Sequence, residues 1–149
     1  MRRVLPCFLT LVAVLLGSGA ASAEDTDKFF VLDATATPGT GGARLSIAIR
    51  AQGLWKWNGE YPFELTLDPQ QGVTPSTERL TQADVRVSTG GKTATVDLGL
   101  ATLASNVSVI TGRVSFALCL SEDRCRPFPK VAVRWAVADG SGVRQEDGR

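Results

Sequence analysis

Along most of the chain, apolar and polar residues alternate with a period of two, and no stretch sustains a helical period. The clearest run sets Ala43, Leu45, Ile47 and Ile49 against Arg44, Ser46, Ala48 and Arg50, which predicts a strand with one buried face. Phe29 to Thr35 predicts an earlier strand, divided from it by the turn signal Pro38-Gly39-Thr40-Gly41-Gly42. Phe63, Leu65 and Leu67 alternate with Glu64 and Thr66, and Asp68-Pro69 closes that strand because proline cannot extend a ladder. Gln70 to Gln82 is mostly polar and reads as irregular. Val85 and Val87, then Ser88-Thr89-Gly90-Gly91, then Thr93, Thr95 and Asp97 alternating with Ala94, Val96 and Leu98 predict a hairpin. Val107 to Ile110 predicts a further short strand. In the final pair, Val114, Phe116 and Leu118 oppose Arg113, Ser115, Ala117 and Cys119, while Val131, Val133, Trp135 and Val137 oppose Ala132, Arg134 and Ala136. About seven short strands with turn signals between them predict an all-β, antiparallel β-sandwich.

The ends of the chain read differently. Arg2 and Arg3, the apolar run Val4 to Leu16 and the small-residue site Ala21-Ser22-Ala23 have the layout of a secretory signal. The expected organisation is a signal peptide over 1–23, a β-sandwich domain over 24–138, and a disordered tail over 139–149, where Val143 is the only large apolar residue. The apolar run is too short to span a bilayer, and Cys7 sits inside it rather than after it. A periplasmic or secreted protein is therefore expected, with no membrane insertion after signal cleavage and no lipid anchor. The 149 residues carry 16 Lys+Arg and 15 Asp+Glu, and loss of Arg2 and Arg3 leaves 14 basic residues against those 15 acids. No basic footprint for nucleic acid remains.

The chain has no histidine, which excludes Ser-His-Asp and Cys-His nucleophile activation and His-ligated metals. Glu60, Glu64 and Asp68 show no spacing that singles out a catalytic carboxylate pair. The glycine turn at 38–42 is followed by Ala43-Arg44-Leu45 instead of the Lys-Ser/Thr that closes a phosphate loop. Of three cysteines, Cys7 leaves with the signal, and export to an oxidising compartment favours a disulfide between Cys119 and Cys125. Alternation places Cys119 on the face opposite Phe116 and Leu118, away from the deep core. Arg124 and Arg126 flank Cys125 and would stabilise its thiolate, whereas Glu122 and Asp123 oppose that if they lie equally close. Trp55, Trp57 and Tyr61 are first of all core aromatics.

At these residues a resemblance enters. Val114-Ser115-Phe116-Ala117-Leu118-Cys119, five intervening residues, Cys125-Arg126-Pro127 and the strand Val131 to Val137 resemble the amino-terminal periplasmic domain of DsbD-type thiol-disulfide interchange proteins. Gly53-Leu54-Trp55-Lys56-Trp57, leading into Phe63 to Leu67, is similar to that family's aromatic strand segment. The resemblance implies an immunoglobulin-like sandwich in which Cys119 and Cys125 cycle between disulfide and dithiol. The implied partners are a thioredoxin-like donor and other periplasmic thiol proteins, with no metal or organic cofactor. It also implies that Trp55 and Trp57 shield the disulfide. The family covers its disulfide with a loop carrying acids and a phenylalanine, and here Gly72 to Thr95 contains no aromatic residue. The competing reading is a non-catalytic binding or structural module in which the disulfide is only a staple. Trp55, Trp57 and Tyr61 would then be partner contacts.

Overall fold

The computed structural model describes residues 26–39 and 42–138, so the expected signal segment and the tail from 139 onward lie outside the described residues. Ten strands follow one another: β1 Phe30–Gly39, β2 Gly42–Ala51, β3 Lys56–Trp57, β4 Glu64–Leu67, β5 Val73–Pro75, β6 Leu80–Thr81, β7 Arg86–Val87, β8 Thr93–Leu103, β9 Val109–Ser121 and β10 Arg124–Ala136. All strand pairs are antiparallel, and the described residues contain no α-helix. One sheet runs β1-β2-β8, with β5 and β7 both along the outer edge of β8. The other runs β10-β9, with β3 and β4 end to end along the far edge of β9 and β6 beyond β4.

The alternation seen in the sequence is what lets these sheets pack. Leu45, Ile47 and Ile49 of β2 and Val96, Leu98 and Leu100 of β8 are buried in one core cluster with Ile110, Val114, Phe116 and Leu118 of β9 and Phe128, Val133 and Trp135 of β10. Each side chain of this size stabilises the fold by about 1.5–3 kcal/mol on full burial. Trp135 is 0% exposed, and its indole N–H donates to the Ser46 carbonyl at 3.1 Å, tying the two sheets together. A sandwich of antiparallel sheets is thus the observed architecture.

Three strand boundaries differ from the expectation. β1 does not stop at Thr35, because its ladder with β2 continues to Gly39 opposite Gly42. The polar stretch 70–82 supplies two short edge strands, β5 and β6, held by backbone pairing to β8 and β4 with only Leu80 among their residues buried. The break expected after Ile110 is absent, since β9 runs unbroken through Gly112. A Cβ at that position would stand 2.6 Å from the Thr66 carbonyl oxygen and 3.2 Å from the Trp135 ring, so glycine marks close packing there instead of a turn.

Candidate functional site

The cysteines stand at the tip of the β9–β10 hairpin, where Cys119 and Cys125 are directly opposed with a Cα–Cα distance of 3.9 Å and are joined by a disulfide. The register that brings them together is irregular. Ser121 pairs with Arg124 across the turn, but Cys125 pairs with Cys119, so Leu120 is an extra residue that bulges from β9. A second irregularity, between Phe128 and Val131, restores the register by adding one residue to β10. Lys130 carries it with φ at 53°, a conformation uncommon for a non-glycine residue, and its N–H donates to Ser115 Oγ at 3.0 Å.

This second bulge also switches the faces of β10. Val133 and Trp135 point to the core beyond it, Phe128 does so before it, and Cys125 is turned outward and exposed. Cys119, also on the outer face, is half-buried. β10 is the free edge of its sheet, with Pro127 opposite Ala117, whereas Cys119 lies on the interior strand β9. On the far side of Cys119 runs β3, and the residue directly across is Lys56. The Sγ of Cys125, by contrast, lies 3.8 Å from the carbonyl oxygens of both Ser121 and Glu122.

Several contacts fix β3 in this place. Lys92 Nζ donates to the carbonyls of Gly53 at 2.6 Å and Trp55 at 2.8 Å, pinning the turn that leads into β3. The Trp57 N–H donates to the Gly91 carbonyl and the Asn58 N–H to that of Ala117. The Trp57 ring stacks on Phe116 with centroids 5.5 Å apart and touches Phe63, so it belongs to the core face. Trp55 meets Phe29 edge to face at 5.3 Å. The two indoles therefore pack on the side of the sheet away from the sulfurs, and Tyr61 is half-buried in the connection to β4. Arg126 follows the same alternation: its guanidinium lies 4.5 Å above the Phe29 ring, on the face opposite Cys125. Arg124 is exposed at the turn beside the bulge. Of the expected site residues, the two cysteines are brought together, and Lys56, paired with Cys119, is a neighbour that nothing in the local sequence announces.

Between β3 with the Asn58–Glu60 segment and the hairpin tip lies an open groove of about 610 Å³, lined by Lys56, Glu60, Glu122 and both cysteines among others. The turn from Ser88 to Lys92 packs against the β3 backbone and does not line this groove. A slightly larger open groove, about 680 Å³, lies on the outer face of the other sheet. Its chemistry is internally satisfied: Asp97 accepts from Arg86 and from Ser46 Oγ, both at 2.6 Å, and these bonds, the Arg86 one first, hold its carboxyl below the usual range. Among the described residues no cluster of three or more His, Cys, Asp or Glu could hold a metal ion, and no helix is long and apolar enough to cross a membrane. Comparison with protein-family models, curated proteins and solved structures finds no significant match.

Proposed function

We propose that this chain is an exported thiol-disulfide exchange domain that passes electrons between periplasmic thiol proteins through Cys119 and Cys125. The observation that carries the reading is the position of the disulfide on the outer face, at the free edge of a sheet and opening into a groove. A purely structural staple needs none of these. Exchange needs access to sulfur along the line of the S–S bond. Cys125 is exposed on the edge strand β10, whereas Cys119 is half-buried between β10 and β3. The strand order supports the immunoglobulin-like reading as well: β1, β2, β8 and β7 take the places A, B, E and D, and β10, β9 and β4 the places G, F and C. The resemblance of the cysteine loop to DsbD amino-terminal domains points the same way.

In the reaction, a thiolate of a thioredoxin-like donor attacks Cys125 Sγ, and the S–S electron pair leaves on Cys119 Sγ. A second donor thiolate then attacks the donor's own sulfur in the mixed disulfide and releases the Cys125 thiolate. Two electrons and, from solvent, two protons reach the pair, and the donor is oxidised. The reverse sequence reduces an oxidised partner, again through a mixed disulfide on Cys125. A Cys119→Ser variant leaves that intermediate unresolved, so non-reducing gels of the protein from its native host should show a covalent adduct for Cys119→Ser and none for Cys125→Ser. Monomer alone for both variants, with thermal melts that fall together, would instead establish the stapled binding module.

A further inference from the structure

Resting on the exchange reading, the geometry points to Lys56 as the residue that stabilises the Cys119 thiolate when it leaves. Lys56 and Cys119 are directly opposed in neighbouring antiparallel strands, so their side chains leave the sheet on the same face with Cβ atoms about 5 Å apart. Trp57, the next residue, confirms the sense by stacking into the core on Phe116. Cys119 is therefore flanked by Cys125 on one side and by a lysine stem on the other, and Lys56 and both cysteines line one groove.

The charge of Lys56 is available for this task. Glu60 and Glu122 line the same groove, yet among the described residues neither forms a salt bridge with Lys56, and the salt bridges present join other residues. Arg126 cannot serve, because its guanidinium is on the opposite face over Phe29. The two sulfurs consequently meet unlike surroundings. Cys119 is paired across the strands with a lysine, while the Cys125 sulfur lies 3.8 Å from two carbonyl oxygens. Negative charge that develops during S–S cleavage is accommodated better on Cys119. That polarity agrees with attack at the edge sulfur, where Cys125 becomes the mixed disulfide and Cys119 departs with the electron pair. A leaving thiolate that is stabilised leaves faster.

The test is the rate at which dithiothreitol reduces the oxidised mature protein. One thiolate of the reagent forms the mixed disulfide with Cys125, its second thiol closes the reagent's ring, and the protein gains two electrons. Lys56→Gln should slow this reaction about fivefold at low salt, the order of effect of one charge a few ångströms from another in a largely aqueous setting. Lys56→Arg should restore the rate, and 1 M salt should erase the difference. Replacing dithiothreitol by cationic cysteamine or anionic glutathione should leave the ratio between wild type and Lys56→Gln unchanged. Equal rates for wild type and Lys56→Gln, a slow Lys56→Arg, a deficit that persists in 1 M salt, or a deficit confined to glutathione would overturn the assignment. The last of these would mean that Lys56 only attracts anions. Since no biological partner takes part, the outcome is independent of mixed-disulfide trapping, and either idea can fail without the other.

Discussion

Trp135 shows how one residue is fixed by two demands at once. Its ring fills space beside Gly112, and its N–H needs the Ser46 carbonyl across the core. Trp135→Ala should therefore cost about 3–5 kcal/mol in denaturant titration, from lost burial and the cavity left behind. Trp135→Phe should cost less, with the lost hydrogen bond to the Ser46 carbonyl as part of the loss. A loss below about 1 kcal/mol for the alanine variant would mean that the strand faces are assigned wrongly. The inward face of this residue was legible from the alternation of Val131 to Val137. Its polar partner was not, because a contact between residues 89 apart in sequence leaves no local trace. The same holds for Lys56 and Cys119, which only strand pairing makes neighbours.

For the hairpin element, parity explains both what could be read and what could not. Residues opposed across a regular two-residue turn differ in number by an odd amount, as Ser121 and Arg124 do, whereas the cysteines are 6 apart. Direct opposition of the pair across that turn thus demands a one-residue bulge, which Leu120 provides. The spacing alone did not show this, because a three- or five-residue loop would oppose the cysteines without a bulge. The compensating bulge at Lys130 was hidden, because nothing about a lysine between Pro129 and Val131 announces a positive φ. Continued alternation from Val131 back along β10 would have put Cys125 in the core, and the bulge is what turns it out. Lys130→Gly should change stability by less than about 1 kcal/mol, since relief of the left-handed strain offsets the freer unfolded chain. Lys130→Pro cannot adopt this φ and loses the bond to Ser115, so it should cost at least about 2 kcal/mol and leave free thiols after oxidative refolding. A stable Lys130→Pro protein with a closed disulfide would show that the register does not depend on this residue.

At the scale of the whole molecule, the disulfide and the core are separate. The sulfurs lie on the outer face, and the buried cluster continues across both sheets without them. Reduction should therefore lower stability by only about 2 kcal/mol, the loop-closure value for so short a loop, and leave a folded protein. Retention of near-ultraviolet circular dichroism and a cooperative melt in the reduced state is the measurement, and loss of either would tie the core to the covalent link. A carrier that alternates between two redox states has to remain folded in both. One property of β10 bears on self-association at this open edge. The Ala117 carbonyl is engaged by Asn58 on the far side of β9, so the backbone of the opposed Pro127 faces outward, away from β9. There proline offers no N–H to a strand from another molecule, and the border that carries the disulfide denies an incoming chain the ladder on which self-association would start.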